Sequence, residues 1–161
     1  MAEKIAFGAG CFWGVEHILK KIPGVLSTRC GYMGGKLDNP TYRDVCRGDT
    51  GHAEVVEVVF DAKKISLNQL LSYFWRLHDP TQLNRQGVDV GTQYRSAIFC
   101  YDEKQKAIAE QSKKEFDDSK VFSKSAVTQI ADATTFFAAE DYHQDYFNKN
   151  SGHVCHVLRE R

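Results

Sequence analysis

A single cysteine stands between glycines near the start of the chain, in the stretch "GAGCFWGVEH" of residues 8–17. If Cys11 lies in the first turn of a helix, unpaired backbone N–H groups and the helix dipole favour its thiolate over its thiol. The dipole stabilises the thiolate by about 0.3–1 kcal/mol, whereas one pKa unit corresponds to roughly 1.36 kcal/mol. If Cys11 is reactive, other groups must therefore also lower the pKa of its thiol. Phe12 and Trp13 would form an apolar wall beside this thiol. The same stretch also fits a buried cysteine on an ordinary helix, with both aromatic residues in the core.

Two carboxylates lie on the predicted strand "HAEVVEVVF", residues 52–60. Because side chains alternate along a strand, Glu54 and Glu57 point to opposite faces of the sheet. We expect one of them to face apolar side chains, which raises the pKa of a carboxyl group and lets it act as a general acid near neutral pH. The alternative places both carboxylates at solvated or edge positions.

Two tyrosines and the last cysteine add further polar groups. Tyr42 in a glycine-rich segment and Tyr94 at the start of a strand could donate hydrogen bonds to a substrate oxygen, or could cap a hydrophobic patch. Cys155 lies between His153 and His156, a setting that suits thiol exchange and also raises a metal-ligand interpretation. The spacing of these three residues does not match a usual zinc site.

Strands and helices alternate around these residues. Residues 4–10 are predicted to form a strand, and apolar residues at helical spacing follow from Val15, so Cys11 falls at a strand-to-helix turn. A capping box at Ser66 and Gln69 predicts the start of another helix. Further strands are predicted over 25–31, 52–60, 94–101 and 127–131, and further helices over 66–78, 102–118 and the C-terminal "AEDYHQDYF". The segments 31–51 and 81–93 are predicted to be irregular loops.

The order βαββαβαβα predicts an α/β (α+β) two-layer sandwich, with a mixed sheet and a ferredoxin-like centre. A chain of 161 residues without repeats or linkers is the size of a single domain, which we expect to cover residues 1–161.

Composition excludes several classes of protein. The chain has 21 Lys plus Arg and 21 Asp plus Glu, so its net charge is zero. It lacks the excess of positive charge that is typical of a nucleic-acid-binding protein. No apolar run reaches the roughly 18 residues of a membrane span, and the N-terminus lacks the apolar core of a signal peptide. We therefore expect no membrane contact and a cytoplasmic location. We also expect a monomer.

The five cysteines, at positions 11, 30, 46, 100 and 155, are widely and irregularly spaced. An odd number without any C-x-x-C pair indicates neither a disulfide framework nor a structural zinc site. We expect Cys30, Cys46 and Cys100 to be structural.

Five successive segments that extend over nearly the whole chain can be compared with known families. They are "GAGCFWGVE", "GYMGG", "NPTYRDVCRGDTGHAEVVEVVFD", "HDPTQLNRQGVDVGTQYRSAIF" and "FFAAEDYHQDYF". Together they resemble the peptide methionine sulfoxide reductase A family. The combination of "GCFWG" with "GHAEVV" and "GTQYRS", in the family's order, is specific.

The resemblance implies a role for each candidate residue. Cys11 would attack the sulfoxide sulfur, and Glu54 would protonate the sulfoxide oxygen. The other implied roles are oxygen binding by Tyr42 and Tyr94, methyl-group binding by Phe12 and Trp13, and support of the polar side of the pocket by Asp89. The expected substrate is the S epimer of methionine sulfoxide, free or in proteins, which makes the enzyme a repair protein after oxidative damage.

By the same resemblance, Cys155 takes the place of the resolving cysteine. Reduction leaves a sulfenic acid on Cys11, which Cys155 condenses to a disulfide, and thioredoxin or a similar dithiol reduces that disulfide. No bound cofactor or metal is implied. Two alternatives from other classes are a thiol-dependent, metal-holding binding module and a Cys-His hydrolase with His52 as the base.

Overall fold

A six-stranded mixed sheet forms the centre of the structure, a computed structural model that describes residues 2–150 and 156–160. The spatial order is β7-β6-β1-β3-β2-β8, and only the β6–β7 pair is parallel among these described strands. The strands are β1 (Ala2–Gly8), β2 (Val25–Met33), β3 (Ala53–Asp61), β6 (Ala97–Cys100), β7 (Gln129–Asp132) and β8 (Phe137–Ala138), with a separate hairpin of β4 (Arg85–Gln86) and β5 (Asp89–Val90). The helices are α1 (Phe12–Leu19), α2 (Tyr42–Cys46), α3 (Leu67–Arg76), α4 (Glu103–Asp118) and α5 (Tyr146–Lys149).

The predicted ferredoxin-like centre is confirmed. The elements β1, α1, β2, β3, α3 and β6 follow one another as βαββαβ, and their four strands lie antiparallel in the order β6-β1-β3-β2. This is the split βαβ arrangement, in which the two crossover helices, α1 and α3, cover one face of the sheet.

The main hydrophobic core lies between the sheet and its helices. Apolar positions three and four residues apart on α1 and α3 point at the same sheet face, so each helix buries one stripe of side chains. Each such side chain contributes about 1.5–3 kcal/mol when it is fully buried. The contributing residues include Phe12, Val15, Leu19, Leu70, Leu71 and Phe74 from the helices and Ile5, Phe7, Val56, Val58 and Phe60 from the sheet. Glu54 shares its strand face with Val56 and Val58.

Local capping signals define where two helices begin. Ser66 accepts a hydrogen bond from the Gln69 N–H while the Gln69 side chain accepts from the Ser66 N–H, which confirms the predicted capping box of α3. The same motif, made by Thr41 and Asp44, begins helix α2 inside the glycine-rich segment. That helix and the β4–β5 hairpin correct the prediction of two irregular loops, because short capped elements leave little hydrophobic periodicity in the sequence.

The predicted C-terminal helix over "AEDYHQDYF" is wrong. Residues 141–143 form one 3-10 turn, and α5 covers four residues, Tyr146–Lys149. Two features interrupt a helix here. Asp145 has a left-handed φ of 56°, and the side-chain amide of Gln144 is hydrogen-bonded to the backbone N–H and carbonyl of Cys30 in β2. The segment is therefore held along the sheet edge rather than coiled into a helix.

None of the helices in the described part of the chain combines the length and the apolar character that spanning a bilayer requires.

Candidate active site

Cys11 lies at the predicted strand-to-helix junction. It occupies the N-cap position of α1 with non-helical dihedral angles, φ −59° and ψ 121°, and is half-buried. Its carbonyl accepts the first hydrogen bond of the helix, from Val15 N–H at 3.4 Å. The thiol therefore stands at the positive end of the helix dipole.

Gly10 makes this junction possible. Its φ of 96° lies in the left-handed region, which glycine adopts without strain. A Cβ at this position would also lie 2.9 Å from Cβ of Gln86 and 3.2 Å from Nε2 of His156. The turn before the thiol is thus packed against both the β4–β5 hairpin and the C-terminal segment.

Glu54 is buried directly beside the start of α1. Its side chain is on the helix-covered face of β3, and its Oε1 accepts a hydrogen bond from the Phe12 N–H at 3.2 Å. Phe12 follows Cys11, so the carboxyl group and the thiol lie at the same helix end. Glu57 is also buried, but on the opposite face, where Arg29 and Tyr101 pair with it. The alternative in which both carboxylates are solvated is therefore wrong.

Tyr42 and Tyr94 are half-buried and come from two different connections. Tyr42 begins α2, and Tyr94 ends the 3-10 turn Thr92–Tyr94. Burial first, and then the negative charge of Glu54, raise the pKa of both phenols above the ordinary value of 10. Both hydroxyl groups are consequently protonated donors at neutral pH and lie within the electrostatic field of Glu54.

Asp89 lies in β5, half-buried, on the same side of the molecule as Tyr94. Its charge and that of Cys11 contribute further to raising the pKa of Tyr94, after burial, Glu54 and Cys46. The hairpin thus brings the predicted acidic residue to the site.

The two aromatic residues after Cys11 differ in burial. Phe12 is 1% exposed and belongs to the hydrophobic core, with its ring centroid 6.2 Å from that of Tyr42. Trp13 is half-buried and lies face to face with Tyr146 at 3.8 Å. The core interpretation therefore holds for Phe12, whereas Trp13 forms part of a partly open aromatic surface.

His143 and Glu140 support these aromatic residues and were missed by the sequence analysis. His143 is fully buried, and its Nδ1 accepts a hydrogen bond from the Trp13 indole N–H at 2.8 Å. Glu140 accepts from the Tyr32 hydroxyl at 2.9 Å and from the Tyr42 N–H at 3.0 Å. Burial alone would raise the pKa of Glu140, but these hydrogen bonds outweigh it and the pKa lies below its usual range. The only available signal was the density of aromatic and charged residues in "AEDYHQDYF".

The remaining cysteines occupy different environments. Cys30 is buried and donates to Glu16, and burial raises the pKa of its thiol; burial also raises the pKa of Cys100 to about 11. Cys46 is exposed at the end of α2, unlike the other two. Cys155, the predicted resolving cysteine, and its neighbour His153 lie outside the described residues.

His52 does not fit the base of a Cys-His hydrolase. Its Nδ1 accepts from the Gly35 N–H at 3.0 Å, and its Nε2 lies 2.7 Å from the Leu37 carbonyl, to which it must donate. Both ring nitrogens hold the glycine-rich segment in place. Among residues 2–150 and 156–160, no group of three or more His, Cys, Asp or Glu residues is placed to hold a metal ion.

Comparison with known proteins identifies the family. A family model described as "Peptide methionine sulfoxide reductase" matches residues 3–161. The chain is 55% identical over 157 residues to the peptide methionine sulfoxide reductase MsrA of Methanothermobacter thermautotrophicus, covering 98% of this chain and 93% of that protein. The chain belongs to the peptide methionine sulfoxide reductase family.

Solved structures of this family share the fold. Mxr1 from Saccharomyces cerevisiae in reduced form superposes with a TM-score of 0.93 at 38% identity, covering 99% of this chain and 93% of that one. Methionine sulfoxide reductase A of Corynebacterium diphtheriae superposes with a TM-score of 0.90 at 38% identity, covering 96% and 77%. Mxr1 has also been solved in complex with Trx2; that chain is 24% identical and has a TM-score of 0.68, a likeness of fold.

Proposed function

We propose that this chain reduces methionine S-sulfoxide to methionine, with Cys11 as the nucleophile and Glu54 as the general acid. The observation that carries the proposal is the hydrogen bond from the Phe12 N–H to the buried Glu54 carboxyl. It holds an acid within one residue of a half-exposed thiol at a helix N-terminus.

The chemistry requires both groups. The oxygen of a sulfoxide leaves poorly unless it is protonated, so attack of the Cys11 sulfur must be coupled to proton delivery by Glu54. A thiolate and a carboxylate at one helix end repel each other, so the pair is expected to share a proton and titrate as a coupled unit. Methionine leaves, and Cys11 remains as a sulfenic acid.

The neighbouring side chains would orient the substrate. Tyr42 and Tyr94 are donors whose raised pKa values keep them protonated, as oxygen binding requires. Trp13 would contact the ε-methyl group of the substrate, with Phe12 packed behind it in the core. Asp89 would support the polar side of the pocket.

Cys155 would resolve the sulfenic acid by forming a disulfide with Cys11. A dithiol of the thioredoxin class would then reduce this disulfide by exchange. The yeast relative Mxr1, which forms a complex with Trx2, supports this choice of partner. A cycle of this kind needs a reducing compartment, and we propose the cytoplasm, with residues 1–161 acting as one catalytic domain and as a monomer.

The test is a quench experiment with a peptide that contains methionine S-sulfoxide. Without reductant, we expect wild type and Cys155→Ser each to release about one equivalent of methionine, and thioredoxin to sustain turnover in wild type alone. Cys11→Ser should release none. Cys100→Ala is the matched control, because it removes a thiol at the end of β6 remote from Gly8 and Cys11.

Two outcomes would contradict the proposal. Continued turnover by Cys11→Ser would exclude Cys11 as the nucleophile. Equal rates with the R and S epimers of the sulfoxide would exclude the oriented pocket.

A further inference from the structure

The segment of residues 156–160 is fixed to the core at two points. His156 is buried against the turn that precedes Cys11, and Arg159 is attached to the end of α3. Leu158, between them, packs against the main hydrophobic core.

Arg159 binds the carboxyl end of α3. Its guanidinium group donates to the carbonyl oxygens of Trp75 and His78, and its backbone N–H donates to the Arg76 carbonyl at 2.9 Å. Arg76 donates in turn to the Arg159 carbonyl. The last carbonyls of a helix have no partners within the helix and carry its negative dipole end, so a forked cation is well matched to them.

His156 binds the turn that carries the nucleophile. Its Nε2 lies 2.7 Å from the Ala9 carbonyl, and because a carbonyl only accepts, the imidazole is the donor. The same nitrogen would lie 3.2 Å from a Cβ at Gly10. Residue 156 follows Cys155 in the chain, and Gly10 precedes Cys11, so the covalent neighbours of the two proposed sulfurs are in contact.

We propose that residues 156–160 form an anchor that keeps Cys155 close to Cys11, with His156 and Arg159 as positioning residues for disulfide formation. The inference rests on the proposed function. It adds the contacts that would speed the second half of the cycle, the formation of the Cys11–Cys155 disulfide.

The step served by the anchor is balanced without any further reactant. The Cys155 sulfur attacks the sulfur of the Cys11 sulfenic acid, the S–S bond forms and the S–O bond breaks. The departing hydroxide takes the proton of the Cys155 thiol and leaves as water. Attachment of residue 156 beside Gly10 makes the attack on Cys11 a local event, which raises its rate in proportion to the effective concentration.

The experiment separates the two halves of the cycle in the full-length protein. The methionine-releasing step is followed by rapid quench, and the sulfenic acid is followed by trapping with dimedone. For Arg159→Ala, we expect methionine release within about twofold of wild type, and disulfide formation slowed about 10- to 100-fold with dimedone adduct accumulating. Arg159→Lys should fall between the two, because an ammonium cannot make the forked contact.

Variants at the other attachment point keep the inference testable if Arg159→Ala is poorly folded. His156→Leu removes the hydrogen bond to Ala9 and should slow disulfide formation, whereas His156→Gln retains a donor and should restore much of the rate. Val157→Ala is the matched control in the same segment, since Val157 is 76% exposed, and should behave as wild type.

Three results have distinct meanings. Wild-type disulfide rates in folded Arg159→Ala and His156→Leu would overturn the anchor. Equal slowing of methionine release and of disulfide formation would overturn it too, because the residues would then act on Cys11 or on the fold. Absence of methionine release from wild type would instead contradict the proposed function. Failure of the proposed function is therefore distinguishable from failure of the anchor.

Discussion

Glu54 illustrates how one side chain acquires a chemical role from its position. An acidic residue on a strand is unremarkable in sequence, yet here it is 1% exposed and accepts the N–H that follows Cys11. In the proposed mechanism, this carboxyl group beside the helix N-terminus delivers a proton to the oxygen of the sulfoxide whose sulfur Cys11 attacks. Glu57, three residues along the same strand, is paired with cations on the other face and lacks this role.

We expect Glu54→Gln to lower kcat/KM for methionine sulfoxide about 10²–10⁴-fold, because glutamine keeps the acceptor for the Phe12 N–H but cannot deliver a proton. Steady-state kinetics with thioredoxin regeneration measures this. Glu57→Gln is the control and should lower stability while leaving kcat/KM within about twofold of wild type. Activity of Glu54→Gln close to that of wild type would remove Glu54 as the acid.

At the scale of elements, Arg95 joins two connections near the candidate site to strand β7. Its guanidinium donates to the Thr92 carbonyl in the turn that carries Tyr94, to the Gly51 carbonyl before β3, and to the Gln129 side chain on β7. Three contacts in one plane suit guanidinium and cannot be reproduced by an ammonium. Arg95 therefore holds the Tyr94 turn against the strand that carries Glu54.

Arg95→Lys should lower kcat/KM about 10-fold, a loss of about 1.4 kcal/mol of transition-state binding, through displacement of Tyr94. In a double-mutant cycle, the same substitution should have little further effect once Tyr94→Phe has removed the hydroxyl. Arg29→Lys, an exposed arginine on the Glu57 side of the sheet, is the matched control. Full additivity of the two substitutions would show that Arg95 does not act through Tyr94.

At the scale of the whole molecule, His78 links stability to pH. It is buried after α3, its Nδ1 donates to the Phe74 carbonyl at 2.9 Å, and its Nε2 lies 2.8 Å from the Ser96 hydroxyl. Burial, followed by the electrostatic effect of the neighbouring His156, lowers the pKa of His78 to about 3. Between about pH 6.5, the ordinary histidine pKa, and pH 3, the unfolded chain therefore binds a proton at His78 that the folded protein does not bind.

The free energy of unfolding should consequently fall as the pH drops below about 6.5 and continue to fall towards pH 3. From pH 7 to pH 5, we expect His78 to account for a loss of about 2 kcal/mol. Urea unfolding at pH 7 and pH 5 measures this loss of stability. Because His78→Gln lacks the titrating group, its free energy of unfolding should fall by about 2 kcal/mol less than that of wild type. An unchanged pH dependence in His78→Gln would show that His78 is not the group responsible.

Much of the site could be predicted because its signals are local. The spacing of apolar residues placed Cys11 between a strand and a helix, strand alternation separated Glu54 from Glu57, and the Ser66–Gln69 pair marked the start of α3. The order of strands and helices favoured the prediction of a ferredoxin-like centre, because short connections and right-handed crossovers leave few ways to arrange βαββαβ. These features depend on residues close together in the chain.

The tertiary structure alone decided which distant groups meet. Trp13 binds His143 across 130 positions, and His156 binds Ala9 across 147, separations at which sequence periodicity carries no information. It also decided that "AEDYHQDYF" lies along the sheet edge, where the Gln144 side chain bonds to the backbone of β2. Residue types and their local spacing therefore determined the available chemistry, whereas long-range packing, which buries Glu54 and attaches the C-terminal segment, decided where that chemistry can take place.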